Sequence, residues 1–424
     1  MPIYFLSNPY LVVKINPALC VRCRGEYNLC GLSYCPVLTE LRARYVLRRV
    51  GGHSDVDGSS PPSVFIGRIG YPRVNIYPAT PPIHGDTRDL EDPKSWINMK
   101  LEDFVSSRLS LIRGSVNVKV NDAKNPPRIL HDIQVMALSE GPVESEMAFE
   151  KPVSGRYVLD EHSPPFGPSS PLKSLKLSTL PPPPRVVERV YSDTDLNATE
   201  AMTRLYESGV DVHVISRLLS VGALGLGIRR RLVPTRWAIT AVDSQVSNNL
   251  LDEVRDYPLI NEYRVYVRNI RDNTFIAILA PHTWLYEWAE AWWPGSTWNL
   301  WGGDIVIELD YEGYWGRDEY PSIGGCYYAA RIAVLEVLRS MRRQAAAILW
   351  REIYPGFNLP IGVWWVRENV RAMLNGPYEK FNDLGEALTY VSRFLKTPIK
   401  TWISRSYVIR QLTKQSNLMN WLMR

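Results

Sequence analysis

Four of the chain's five cysteines fall within sixteen residues, in ALCVRCRGEYNLCGLSYCPVL. Their spacing is Cys20-x2-Cys23-x6-Cys30-x4-Cys35. Zinc favours four thiolates in a tetrahedron, and each short pair lets the chain turn back so that two sulfurs reach one ion. Gly25 and Gly31 supply backbone freedom for the turns. The pattern predicts one structural zinc per chain, with a redox or iron–sulfur role as the alternative. Protein would fill all four ligand positions, leaving none open for catalysis, so the metal would hold a fold. Tight clustering in a long chain also argues against a disulfide scaffold.

Four thiolates on Zn²⁺ leave a net charge of −2, which Arg22 and Arg24 can offset. From Cys20 to Arg49 there are six arginines against two glutamates. Arg42 and Arg49, seven apart on the helical pattern PVLTELRARYVLRRV, exceed that need and are candidates for phosphate contact. A solvated helix face is the alternative. On the same pattern Leu38, Leu41 and Tyr45 form an apolar stripe.

The remainder of the chain reads as α+β. At 424 residues, with 45% apolar and 22% charged residues, it is long enough for two or three cores and has ordinary globular usage. The predicted organisation is a small four-cysteine zinc module and basic helix over residues 1–50, then a mostly β domain over 51–162. A Pro/Ser-rich linker over 163–185 leads to a mixed α/β domain over 186–395 with a long central helix, and a flexible tail occupies 396–424. Within the mixed domain, the pattern predicts two short helices around Gly209 and strands in TRWAITAVD, EYRVYVRN and TFIAILA. It also predicts an aromatic helix from Thr283 to Trp293 and a long helix from about Tyr327 to Glu352. The amino terminus MPIYFLSNPYLVV lacks a basic leader and an apolar run of secretory length, and no window reaches spanning length, so a cytoplasmic protein without a membrane partner is expected.

Formal net charge is a modest +5. Local clusters matter more: Arg229, Arg230, Arg231 and Arg236, with Arg339, Arg342 and Arg343, are the better place to look for DNA phosphates. Six tryptophans crowd Trp284 to Trp301, where core packing outweighs base stacking. In LWGGDIVIELDYEGYW, strand alternation puts Ile305, Ile307 and Leu309 on one face and Asp304, Glu308 and Asp310 on the other. Those carboxylates could hold Mg²⁺ or Mn²⁺ for phosphodiester cleavage, although a solvated face is the commoner outcome. GALGLGIRR does not follow a predicted strand, so it gives no support for a nucleotide-cradling loop of the usual kind.

The chain ends in KQSNLMNWLMR, with apolar residues where a solvated tail has no use for them. Gln415, Leu418 and Trp421 are spaced i, i+3, i+6, followed by Leu422. In a 3₁₀ turn Leu418 and Trp421 eclipse, forming a plug for a shallow apolar pocket, with the Gln415 amide beside it. The eight positions QSNLMNWL resemble the PCNA-interacting peptide, with Leu422 in place of a second aromatic residue. A terminal helix docked on its own domain is the alternative.

Together with the four-cysteine finger, the runs SSPPSVFIGRIGYPRVNI, LVPTRWAITAVD and GGCYYAARIAVLE resemble the archaeal Nre family of DNA repair proteins over nearly the whole chain. Tyr77 departs from that family's pattern, which has glycine before the proline. The resemblance implies a zinc finger, association with the sliding clamp PCNA and a part in repairing DNA, and it carries no assignment of chemistry. The expected function is therefore a DNA repair protein brought to DNA by the clamp. The alternative is a metal-dependent nuclease or nucleotide-processing enzyme in the DNA damage response.

Overall fold

The computed structural model describes residues 22–23, 29–30, 35–153, 165–357 and 361–422. Two compact units emerge, Pro36–Val246 with Pro360–Gly362, and Met1–Cys35 with Ser247–Leu359 and Val363–Arg424. The mixed α+β class holds in both. No helix among the described residues is long and apolar enough to cross a membrane.

The first unit opens with α1 (Pro36–Val50). Among its described side chains Thr39 and Ala43 are buried, whereas Leu41 and Tyr45 are 56% and 63% exposed, so the expected apolar stripe does not face a core. Strands β1 (Asp55–Ser60), β2 (Ser63–Ile66) and β3 (Arg73–Thr80) follow, then α2 (Leu101–Leu109), β4 (Ile112–Lys119), α3 (Arg128–Leu138), β5 (Val143–Phe149) and β6 (Ser169–Thr179). The sheet order is β1-β5-β6-β4-β3-β2. All neighbours are antiparallel except β4 with β6.

Strand β6 occupies the stretch expected to be a linker. Its sequence SSPLKSLKLST buries Leu172 and Leu175 while pairing along β5 and, through Ser169 to Pro171, along β4. Proline and serine density suggested an extended connection; the extended backbone is real, but cross-strand pairing makes it a central strand. Tyr77, the departure from the family pattern, lies under the Arg113 guanidinium at 5.0 Å from the ring centroid.

Helices α4 (Arg185–Ser192), α5 (Ala198–Glu207) and α6 (Val212–Ser220) come next. The helix pair around Gly209 forms as expected, and Gly209 takes φ +83°, the left-handed conformation glycine adopts freely at a helix end. Asn197 caps α5 by accepting from Glu200 N–H at 2.9 Å. The run TRWAITAVD, expected to be a strand, begins α7 (Thr235–Val254). Pro234 starts this helix, its carbonyl accepting from Trp237 and Ala238 N–H, and the helix continues to residues assigned to the second unit.

The second unit contains β7 (Tyr263–Ile270), β8 (Asn273–Ala280), β9 (Leu285–Trp292), β10 (Val306–Glu312), α8 (Gly325–Met341), β11 (Ala346–Ile353), α9 (Trp364–Leu374), β12 (Glu379–Phe381), α10 (Leu384–Val391), α11 (Ile399–Arg405) and α12 (Tyr407–Leu422). Its sheet runs β10-β9-β11-β8-β7-β12, with β9 and β11 parallel and the other neighbours antiparallel. Every residue of β8, β9 and β11 is buried.

Three expectations fail here for one reason. The aromatic stretch from Thr283 is strand β9, because tryptophans four apart satisfy a strand period of two as well as a helical face. The predicted long helix stops at Met341, where Arg342 adopts φ +50°, and AAILWREI then becomes β11 between β8 and β9. The tail expected from residue 396 is instead helical: Trp402, Val408, Ile409 and Leu412 are buried in the cluster containing Trp350, Ile348 and Ile278. Burial on a sheet overrides local propensity.

Candidate nucleic-acid interface

The expected zinc ligands are partly visible. Cys20 lies outside the described residues, Cys23 is buried, and Cys30 and Cys35 are half-buried. Among the described residues no three His, Cys, Asp or Glu side chains group to hold a metal. On α1, Arg42 pairs with Asp103, and Arg49 lies 5.8 Å from the Tyr45 ring centroid.

Alternation along β10 is as read, with Ile305, Ile307 and Leu309 packed against the core cluster. The opposite face does not gather carboxylates around one point. Asp304 and Glu308 are exposed. Asp310 accepts from Arg317 Nη1 at 2.9 Å, Ser322 Oγ at 2.8 Å and Ile323 N–H at 3.3 Å. Burial pushes its carboxyl up, but Arg317 and these donors outweigh burial and hold it below the usual range. Across the ladder, Glu308 faces Glu290, whose carboxylate is taken by Arg351 at 3.0 Å.

Three other buried carboxylates were not foreseen. Glu312 receives Arg331 Nε and Trp284 Nε1, each at 2.8 Å, and the Tyr327 hydroxyl at 3.0 Å. Glu352 accepts from Lys396 and Thr397 N–H at 2.8 and 2.9 Å, and Glu287 accepts from Tyr407 N–H at 2.7 Å. The last two fix the polypeptide that leads to the carboxyl-terminal motif. Leu412 is buried, Thr413 and Lys414 are exposed, and the backbone of Gln415 to Leu422 continues as the end of α12. Only the presence of charge inside otherwise apolar runs, as in LYEWAEAW, hinted at these roles.

The expected arginine group divides. Arg230 is buried and donates to the carbonyls of Gly225 (2.9 Å), Tyr191 (2.7 Å) and Asp193 (3.2 Å). Arg229 and Arg231 are exposed, and Arg236 is half-buried.

A more suggestive surface surrounds the β2–β3 hairpin. Gly70 takes φ +86°, and a Cβ there would approach the Arg73 carbonyl oxygen at 2.8 Å, so the turn requires glycine. The turn presents Arg68, Ile69, Tyr71 and Arg73 to solvent, Ile69 at 89% exposure. The Tyr71 ring lies 5.2 Å from that of Trp237, which is itself 44% exposed on the first turn of α7. Ile66 N–H donates to Thr235 Oγ1 at 2.8 Å, and Ser220 Oγ lies 3.1 Å from the same hydroxyl, tying this helix start to the hairpin. Exposed rings beside arginines suit stacking of unpaired bases with neutralisation of their phosphates.

These features define a two-unit α+β protein that presents cations and stackable rings on its surface. The chain belongs to the archaeal Nre family: the family model described as Archaeal Nre, N-terminal, matches residues 29–299, and that described as Archaeal Nre, C-terminal, matches residues 312–421. It is 45% identical over 392 residues to DNA repair protein NreB of Archaeoglobus fulgidus, covering 92% of this chain and 97% of that protein. It is 35% identical over 397 residues to NreA of the same organism, covering 94% and 98% of the two chains. Haloferax volcanii NreA is 34% identical over 346 residues, 80% of this chain and 82% of that one. No solved structure matches the chain.

Proposed function

We propose that this protein acts in DNA repair, tethered to the sliding clamp by its carboxyl-terminal motif and holding one structural zinc in its amino-terminal cysteine module. The observation that carries the reading is identity of 45% across 92% of the chain to a protein named for DNA repair. Clamp recruitment rests on QSNLMNWL, in which Gln415, Leu418, Trp421 and Leu422 fit the PCNA-interacting pattern. The motif begins three residues after Leu412, which is buried in the core cluster, so a bound clamp stays close to the body and raises its effective concentration on DNA. Docking as a 3₁₀ plug requires the end of α12 to rewind on binding.

The donor set Cys20, Cys23, Cys30 and Cys35 fits zinc by thiolate chemistry and spacing, and the bound ion would hold the module's fold. DNA contact is assigned to the hairpin surface of Arg68, Tyr71, Arg73 and Trp237, with Arg229 and Arg231 as further phosphate contacts. A nuclease centred on Asp304, Glu308 and Asp310 gains no support, because Asp310 is engaged by Arg317.

The test is calorimetric titration of the clamp into full-length protein and into a variant lacking residues 415–424. Full-length protein is expected to bind and the truncation to show no heat, with the same melting temperature. Equal binding by both overturns the tether.

A further inference from the structure

In the first unit a cavity of about 430 Å³ is lined in part by Lys124, Asn125, Gln134, Tyr191, Gly222 and Arg230. It draws its wall from the end of the 3₁₀ turn Val120–Lys124, from α3, from the end of α4 and from the loop between α6 and α7. That loop is GALGLGIRR. It follows a helix rather than a strand, so it is not a phosphate loop of the usual kind. Its backbone nonetheless forms one side of the cavity. Gly222 takes φ +72°, and a Cβ there would approach Ala123 Cβ at 2.7 Å and the Arg231 carbonyl oxygen at 2.9 Å, so a larger residue would distort this wall.

The lining is electropositive and polar. Lys124 and Arg230 are its cations, and no carboxylate lines it. Lys124 is exposed and makes no ion pair among the described residues. Arg230 is held rigidly: Nε and Nη2 donate to three backbone carbonyls, and the guanidinium lies 5.2 Å from the Tyr191 ring centroid, leaving Nη1 available to a ligand. Gln134 is 2% exposed and donates through Nε2 to the Val221 carbonyl at 2.9 Å, which fixes the amide and leaves Oε1 as an acceptor. Asn125 supplies a second amide at the rim, and Ile228, 78% exposed, supplies an apolar edge.

We infer that this cavity binds a nucleotide through its phosphomonoester, with Lys124 and Arg230 taking the phosphate and the Gln134 and Asn125 amides reading the base. The volume lies within the range of roughly 300 to 1,000 Å³ usual for small-ligand sites. A preorganised guanidinium paired with an exposed ammonium is suited to an anion. Amide side chains match the paired donor and acceptor on a base edge. The same chemistry is offered by a free mononucleotide and by the phosphorylated terminal nucleotide of a DNA strand. The assignment goes beyond the tether, and loss of clamp binding leaves it untouched.

The experiment is titration of the full chain with dAMP, with inorganic phosphate, and with a short single strand bearing either a 5′-phosphate or a 5′-hydroxyl. Saturable binding of dAMP, weakened roughly tenfold or more by Lys124→Glu and retained by Lys124→Arg at unchanged melting temperature, is expected for a free nucleotide. A preference for the 5′-phosphate strand over the 5′-hydroxyl strand, with the same response to both variants, assigns the site to strand ends. Either outcome supports the inference. Phosphate binding as tightly as dAMP and the phosphorylated strand overturns it, as does absence of binding up to about 1 mM or binding indifferent to Lys124→Glu.

Discussion

Glu287 and Tyr407, 120 residues apart in sequence, are joined by a 2.7 Å hydrogen bond from the Tyr407 backbone N–H to a carboxylate oxygen on a fully buried strand. The same oxygen accepts from Ser406 Oγ at 3.0 Å and Val408 N–H at 3.2 Å, and the other oxygen accepts from Trp350 Nε1 at 3.1 Å. One side chain thus caps the first turn of α12 and fastens it to the sheet.

Because all four partners are donors, an amide cannot replace this carboxylate without opposing donor to donor. Glu287→Gln is therefore expected to cost about 2 to 3 kcal/mol, and Glu287→Ala at least as much. Chemical denaturation of each variant gives the difference. Truncation before residue 399 removes Trp402, Val408, Ile409 and Leu412 from the core, so it should give an unfolded or aggregated chain, unlike removal of residues 415–424.

Acid sensitivity should depend on Asp211. It caps α6 by accepting from His213 N–H at 2.9 Å, and Lys94 Nζ lies 2.6 Å from its other oxygen. Burial pushes the carboxyl up, but His213 and Lys94 outweigh burial and hold it well below the usual carboxylate range. The folded value lies below the unfolded one, so the stabilisation is full above about pH 4 and is lost as pH falls through the folded value. Asp211→Ala should lower stability at neutral pH by about 1 to 2 kcal/mol and flatten the acid limb of stability against pH. A parallel acid limb in the variant would contradict this.

The hairpin surface makes separable predictions. Trp237→Ala should weaken binding of an unpaired oligonucleotide by about 5- to 100-fold, the value of one lost stacking contact. Arg68→Ala should reduce the slope of log affinity against log salt by about 0.7 for a single strand. Fluorescence anisotropy across a salt series distinguishes the two, and unchanged affinity in both variants would remove this surface from the DNA-binding reading.

Metal analysis after gentle purification should give about one zinc per chain. Cys23→Ser should lower that content and make the amino-terminal module more sensitive to chelator and protease. Folded protein free of metal, with melting unaffected by chelator, would count against the zinc.

Much of the local order was legible. The two helices around Gly209, strands β7 and β8, and the alternation of Ile305, Ile307 and Leu309 follow from turn chemistry and hydrophobic period. So did the family, through long contiguous runs. The hairpin surface was less visible, because Tyr71 and Trp237 come from distant segments and only the folded hairpin brings their rings within 5.2 Å. The sequence singled out Arg230 for phosphate contact. Its guanidinium is largely spent on three backbone carbonyls through Nε and Nη2.

The sequence alone determined the α+β class, the cysteine spacing and the carboxyl-terminal motif, since each resides in neighbouring residues and needs no distant partner. Tertiary structure decided that LYEWAEAW and AAILWREI are central strands, that SSPLKSLKLST bridges two others, and that the approach to the motif is anchored. Strands buried on both faces lose the alternation that identifies them. The glutamates that fasten the last helices find their donors only when residues more than forty positions away close over them.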